Sequence, residues 1–169
     1  AVIVYGHNFP DALAAAPWAA AAGYPILMVN TAAIPTATQD FLTENNIENT
    51  CVVGGTGVIS AEVFDALPNA TRVAGNNRYE TSVQIASQGF DPYAVFIASG
   101  DSFSDALSLA ALAAKYDGSL LLVKQNAIPA SIADFLAKYK AKISYIFVAG
   151  GEAVISEDIE QALEYYMLP

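Results

Sequence analysis

Short runs of apolar residues alternate along the chain with longer stretches in which apolar positions recur every three or four residues. The runs are VIVY at 2–5, PILMV at 25–29, CVV at 51–53, VFIAS at 95–99, SLLLV at 119–123 and YIFVA at 145–149. Strands that are apolar at every position are buried on both faces, which is typical of parallel sheets. The pattern therefore predicts an α/β fold of βαβ units, with parallel sheets covered by helices on both faces.

The same order of elements occurs twice along the chain. Residues 6–42 align with residues 100–136 without a gap, and nearly half of the aligned positions are identical. The later stretch GGTGVIS at 54–60 matches GGEAVIS at 150–156. Similarity of this kind within one chain indicates tandem structural repeats.

One segment between the two copies has no second version. RVAGNNRYETSVQIA at 72–86 predicts a short strand, a turn at the Gly-Asn-Asn triplet and a helix over 78–88. If this segment opens a repeat, the first copy lacks its opening strand and helix. We therefore predict a first repeat over 1–70, truncated at its N-terminus, and an essentially complete second repeat over 71–169.

The composition narrows the classes of function. The chain has 169 residues, of which 54% are hydrophobic, and its net charge is −10. An acidic chain with only seven Lys and Arg residues cannot neutralise many phosphates, so nucleic acid is not an expected partner. No apolar run approaches the length of a membrane span, so we expect no membrane-spanning segment.

Two aspartates occupy equivalent positions, Asp11 in NFPDAL and Asp105 in SFSDAL. They are candidates for a carboxylate site at the C-terminal edge of a parallel sheet, where α/β proteins bind ligands. Alternatively, each aspartate completes a capping box with Asn8 or Ser102 three residues earlier. We favour the capping box, and we expect no metal site, because His7 replaces the nearby Asp101 in the first copy.

Other motifs of catalysis or nucleotide binding are missing. The glycine pairs Gly54-Gly55 and Gly150-Gly151 follow apolar runs, but neither belongs to GxGxxG or to a P-loop with its Lys-Ser/Thr. No GxSxG occurs, and a single histidine is available to activate any serine. We therefore predict no catalytic residues and no cofactor. Trp18 is interpreted as a packing residue, with stacking on a carbohydrate as the alternative.

Several of these residues together resemble a known family. In order along the chain they are Arg72, Gly75, Arg78, Tyr79, Thr81, Gly100, Phe103, Asp105, Gly150 and Gly151. The first copy matches through Gly6, Phe9, Asp11, Gly54 and Gly55. This combination resembles the cell wall binding type 2 repeat of Gram-positive surface proteins, and the resemblance covers essentially the whole chain.

The resemblance implies a non-catalytic module that anchors an exported protein to the cell wall. Its implied partners are anionic secondary polymers of the wall and neighbouring repeats, which usually occur three in tandem around a pseudo-threefold axis. It also implies a three-layer fold similar to the Toprim and Rossmann types, in surface-layer proteins, adhesins or wall hydrolases. Two alternatives stay open: a fragment of a Rossmann-like enzyme that handles carbohydrates or nucleotides, and a purely structural protein-interaction module.

Both arginines of the chain lie in the segment 72–81. In one hypothesis Arg72 and Arg78 bind phosphate or carboxylate groups of the polymer, with Tyr79 and Thr81 as adjoining ligands. In the other, the arginines pair with acidic groups of the neighbouring repeat, Asp11 or Asp105, and hold the repeats together. Because a cation at a helix start opposes the helix dipole, we expect an anionic partner there in either case.

Overall fold

The structure is a computed structural model that describes residues 1–89 and 92–167. The described strands are β1 Val2–Tyr5, β2 Ile26–Val29, β3 Thr50–Val53, β4 Ala70–Val73, β5 Ala94–Ser99, β6 Ser119–Val123 and β7 Tyr145–Ala149. The described helices are α1 Pro10–Ala21, α2 Thr36–Glu44, α3 Ala61–Asp65, α4 Arg78–Ala86, α5 Phe103–Lys115, α6 Ala130–Tyr139 and α7 Glu157–Glu164. Strands and helices alternate throughout, as the apolar runs predict.

The strands form two parallel sheets. The first sheet has the order β2-β1-β3-β4, and the second has the order β6-β5-β7. In each sheet the first strand of a copy is central, since β1 pairs with β2 and β3, and β5 pairs with β6 and β7. The fold class is therefore confirmed as an α/β fold with parallel sheets.

Each sheet is the middle layer between two groups of helices. One face of the first sheet packs against α1, and the other face contacts Leu42 of α2 and Val63 of α3. In the second sheet, one face packs against α5 and the other against α6 and α7. Strands β5 and β6 are buried along their whole length, which explains their apolar runs. Strands β2 and β7 are edge strands with exposed side chains, such as Met28 at 57% and Tyr145 at 51%, so the expectation that every apolar run is buried on both faces is wrong for these two.

The two copies share buried surface. Leu13 of α1 belongs to the apolar cluster around Phe96 in the second sheet, and the rings of Phe9 and Phe103 lie 5.7 Å apart. Helix α4 contributes Ile85 to the core of the first sheet and Ala86 to the core of the second. The packing therefore joins the repeats through α1 and α4.

Strand β4 lies at the predicted boundary between residues 70 and 71. It pairs with β3 in the first sheet, with Val52 opposite Arg72 and Val53 opposite Val73. Helix α4, which follows it, packs against both copies. The segment 72–86 thus connects the two sheets, and the division into repeats at this point stays a prediction.

The predicted capping boxes are wrong. Helix α1 begins at Pro10, so its N-cap is Phe9, and the side chain of Asn8 instead accepts a hydrogen bond from the Phe9 N–H at 3.0 Å. Ser102 is at the N-cap of α5, but its side chain makes no capping hydrogen bond. Asp11 and Asp105 nevertheless lie in the first turns of these helices, where a carboxylate complements the helix dipole.

Candidate functional site

A cleft of about 260 Å³ lies at the C-terminal edge of the first sheet, where α1 and α4 begin. It is lined by Tyr5, Asn8, Asp11, Gly55, Gly57, Gly75, Asn76, Asn77, Arg78 and Thr81, among others. We call it the inter-repeat cleft. Ligand sites of parallel α/β sheets occur at this edge, because the loops after the strands converge there.

Arg78 stands at the start of α4, on the wall of the inter-repeat cleft. Its Nη1 donates to the carbonyl oxygen of Gly100 and lies 3.3 Å from Oδ1 of Asp101. The expected anionic partner of Arg78 is therefore present as Asp101, which forms the ion pair, while Asp11 interacts with the charge of Arg78 without a hydrogen bond. Since the Asp101 side chain is 67% exposed, this ion pair contributes about 1 kcal/mol at most.

Arg72 lies outside the inter-repeat cleft and has different contacts. Its Nη1 donates to the carbonyl oxygen of Gly54 at 2.6 Å, and its guanidinium lies 4.7 Å above the ring of Phe64. Arg72 thus binds the end of β3, whereas Arg78 binds the end of β5. Between them the two arginines fasten the segment 72–81 to one strand of each sheet.

A network of hydrogen bonds fixes the turn before α4. The side chain of Asn77 caps the helix by accepting from the N–H groups of Tyr79 at 3.1 Å and Glu80 at 3.0 Å. The carboxylate of Glu80 accepts from the N–H of Asn76 at 2.9 Å and from the amides of both asparagines. This role of Asn77 and Glu80 was not predicted from the sequence, although Asn-x-x-Glu is the spacing of a capping box.

The two other proposed ligand residues have structural contacts. Thr81 lines the inter-repeat cleft, but it is only 3% exposed, and its hydroxyl accepts from the N–H of Gly75 at 3.0 Å. The ring of Tyr79 packs close to Gly100, and Lys124 lies 5.8 Å from the ring centroid. Arg78 and Thr81 thus line the cleft, whereas Arg72 and Tyr79 lie outside it.

Asp11 is half-buried in the inter-repeat cleft and has no hydrogen bond or ion pair within the described residues. Burial raises the pKa of its carboxyl group, and the positive charge of Arg78 partly opposes this effect. The inter-repeat cleft therefore contains an unpaired carboxyl group beside a guanidinium that has N–H donors to spare.

The first glycine of each glycine pair lies next to the aspartate of the adjacent helix. Gly54 has φ of 122° and Gly150 has φ of 136°, which are conformations that favour glycine. A Cβ at Gly54 would lie 3.0 Å from Oδ2 of Asp11, and one at Gly150 would lie 3.6 Å from Oδ2 of Asp105. The paired motifs thus have the same structural role in both copies.

Gly54→Ala is expected to lower the free energy of unfolding by about 1–3 kcal/mol, because alanine is strained at this φ. The added Cβ would also lie 2.9 Å from Cγ2 of Val58. The matched control is Gly55→Ala, since a Cβ there meets nothing within 4 Å. Urea denaturation of both variants measures the difference, and equal losses would contradict this role of Gly54.

Asp11→Asn is expected to stabilise the protein at neutral pH. Burial raises the folded-state pKa of Asp11 above its ordinary value of 3.8, so the ionised carboxylate costs stability above the folded-state pKa. That cost disappears as the pH falls through the folded-state pKa towards 3.8. Urea denaturation should show a higher free energy of unfolding for Asp11→Asn than for the wild-type chain at pH 7, and no difference below pH 3.8. The same difference at both pH values would contradict burial of the carboxylate as its cause.

The other described residues that could bind a metal ion or act as reactive groups do not cluster. Within residues 1–89 and 92–167, no three His, Cys, Asp or Glu side chains are grouped so that they could hold a metal ion. His7 is exposed, and its Nε2 shares a hydrogen bond with Oδ1 of Asn30 at 2.8 Å. Cys51 is a free thiol in β3. None of the described helices is long and apolar enough to cross a membrane.

The fold is a parallel α/β module with a polar cleft at one edge of its first sheet. The chain belongs to the cell wall binding domain 2 (CWB2) family, whose model matches residues 2–64 and 72–160. It is therefore a cell-wall-binding module, and its family context is the surface of Gram-positive bacteria. The family resemblance seen in the sequence is confirmed.

Two curated relatives come from Bacillus subtilis (strain 168). The N-acetylmuramoyl-L-alanine amidase LytC is 42% identical over 123 residues, which cover 72% of this chain and 25% of that protein. The amidase enhancer is 33% identical over 173 residues, which cover 99% of this chain and 23% of that protein. The chain thus spans about a quarter of the length of these relatives.

Two solved structures from Clostridium difficile have the same fold. Cwp8 superposes with a TM-score of 0.83 at 27% identity over 98% of this chain and 29% of its own. Cwp6 superposes with a TM-score of 0.86 at 24% identity over 98% of this chain and 27% of its own. The α/β architecture of this chain is therefore shared with both of these proteins.

Proposed function

We propose that this chain is a non-catalytic part of a secreted protein and that its inter-repeat cleft binds an anionic glycopolymer of the cell wall. The observation that carries the proposal is the position of Arg78 in that cleft, beside the polar side chains of Asn8 and Asn76. A guanidinium suits a phosphate or carboxylate group, and amides suit the hydroxyl groups of a sugar. Family membership favours this function over the enzyme alternative.

Arg78 has hydrogen-bonding capacity left for a ligand. A guanidinium carries five N–H donors, and the described contacts of Arg78 to Gly100 and Asp101 use Nη1 alone. Its side chain is 33% exposed, so solvent reaches it. These features support an anion-binding role in addition to the contact that fastens α4 to β5.

The net charge of −10 sets how salt should affect binding. An acidic chain repels an anionic polymer at long range, so moderate salt should assist the encounter by screening that repulsion. The contact itself must then come from local donors, such as the guanidinium of Arg78 and backbone N–H groups. This favours a binding site in a cleft, which acts at short range, rather than a broad charged surface.

The experiment that tests the proposal is co-sedimentation of the chain with purified Gram-positive cell walls, before and after acid extraction of their secondary polymers. We expect the chain to sediment with intact walls and to stay in solution with extracted walls. Equal sedimentation with both preparations would contradict the polymer as ligand. Sedimentation with neither, combined with self-association, would favour the structural interaction module.

A further inference from the structure

A second cleft lies where α1, α4 and α5 end, at the opposite ends of these helices from the inter-repeat cleft. Its volume is about 510 Å³, and its lining includes Trp18, Gln88, Tyr93, Tyr116 and Asp117. We call it the aromatic cleft. It shares no lining residue with the inter-repeat cleft. Its volume lies within the range of about 300–1,000 Å³ that is typical of small-molecule sites.

The rings of the aromatic cleft are exposed but supported from behind. Tyr93 is 53% exposed and Tyr116 is 55% exposed. The Tyr116 ring stacks on Phe147 with centroids 6.4 Å apart, and the Trp18 ring meets Tyr24 edge-on at 5.9 Å. Rings held by their neighbours lose little freedom on binding a ligand, so their faces form a preorganised surface.

The internal repeat shows that the fold does not require these side chains. In the alignment of 6–42 with 100–136, Trp18 corresponds to Leu112, and Tyr116 corresponds to Ala22. Asp117 likewise corresponds to Gly23. Both copies form the same helix and strand with either set of residues, so core packing alone does not explain an aromatic cluster at this one place.

We propose that the aromatic cleft binds a neutral pyranose residue of a wall glycan. The C–H face of a pyranose carries partial positive charge and stacks on the negative face of an aromatic ring, here Trp18 or Tyr116. The side chains of Gln88 and Asp117 supply hydrogen-bond partners for the sugar hydroxyls. This site adds neutral sugar recognition to the proposed function and rests on it for the source of the glycan.

The charges around the aromatic cleft favour a neutral sugar over a phosphate or uronate. No Lys or Arg is among the described residues that line it, whereas Asp117 contributes a carboxylate. The ammonium of Lys115 lies outside the lining, 6.0 Å from the centroid of the Tyr116 ring. The C-terminal ends of α1 and α5 also point their carbonyl groups towards this end of the molecule. An anionic group would meet negative charge here, while hydroxyl groups would find acceptors.

The test uses the fluorescence of Trp18, the single tryptophan of the chain. The chain is titrated with two neutral probes, the tetramer of N-acetylglucosamine and the tetramer of glucose. We expect at least one probe to give a saturable change in emission. Tyr116→Ala should weaken that binding about tenfold, the scale of one lost aromatic stacking contact. Tyr165→Ala, which alters an exposed tyrosine outside the aromatic cleft, should leave it unchanged.

Two results would overturn the proposal. One is the absence of a saturable change with both probes up to about 10 mM, where a site of millimolar affinity is mostly occupied. The other is equal binding by the wild-type chain and Tyr116→Ala. Sedimentation with walls is measured separately. Sugar binding without wall sedimentation refutes the proposed function alone. Wall sedimentation without sugar binding refutes only the proposal that the aromatic cleft binds a neutral sugar.

Discussion

Gly75→Ala is expected to lower the free energy of unfolding by about 3 kcal/mol, the upper end of the usual cost of overpacking. An added Cβ would lie 2.7 Å from both the carbonyl carbon of Glu80 and the nitrogen of Thr81. These are backbone atoms in the first turn of α4, so the clash can be relieved only by moving the helix. Urea denaturation at neutral pH measures the loss.

The matched control for this variant is Gly57→Ala, which also alters a glycine that lines the inter-repeat cleft. A Cβ at Gly57 would meet nothing within 4 Å, so its cost should stay within about 0.5 kcal/mol. A small loss for Gly75→Ala, similar to that of the control, would show that α4 does not depend on this close contact.

Arg78→Ala is expected to weaken sedimentation with intact walls at least about tenfold, which corresponds to about 1.4 kcal/mol of binding free energy. The variant removes the cationic side chain that lines the inter-repeat cleft. It should remain folded, because the ion pair with Asp101 is largely exposed and contributes little, and loss of the hydrogen bond to the Gly100 carbonyl costs about 1–3 kcal/mol. Binding isotherms with purified walls measure the effect.

Arg72→Ala provides the comparison, since Arg72 lies outside the inter-repeat cleft and contacts Gly54 and Phe64. It should lower the free energy of unfolding while the folded fraction binds walls as the wild-type chain does. Equal losses of wall binding in both arginine variants would contradict the assignment of the ligand role to Arg78. Loss of cooperative unfolding in Arg78→Ala would show that this arginine acts mainly in the fold.

The sequence was sufficient to predict the layers of the fold. Its apolar runs coincide with strands β1, β2, β3, β5, β6 and β7, and in β5 and β6 the cause is burial of the strand on both faces. The segment 72–86 also predicted a strand, a turn and a helix, and the structure confirms the strand as β4 and the helix as α4. The helix ends at Ala86, two residues before the predicted end at Gln88.

The partners of side chains could not be predicted in the same way. Spacing alone suggested that Asn8 caps α1, but Pro10 sets the start of the helix one residue later than that cap requires. Charge alone suggested Asp11 or Asp105 as partners of Arg78, whereas the packing of α4 against the second sheet brings Asp101 and the Gly100 carbonyl to it. Such contacts depend on how elements meet in space.

The walls of the inter-repeat cleft also could not be predicted from the sequence. They come from three separate stretches, at the starts of α1 and α4 and in the loop after β3. These stretches meet because β4 joins the first sheet while α4 packs against both copies. The apolar pattern predicts which face of each helix or strand is buried. It does not specify which strands are neighbours, and so it does not specify which loops meet.

The measurement that tests the central claim most directly is nuclear magnetic resonance mapping of the chain with acid-extracted, soluble wall polymer. The backbone amides of the isotope-labelled chain are followed through the titration. We expect the largest shift changes at Gly55, Gly57, Asn76, Asn77 and Arg78, which line the inter-repeat cleft. If these amides are unchanged and saturable shifts occur only at residues outside the inter-repeat cleft, that result would contradict the inter-repeat cleft as the polymer site.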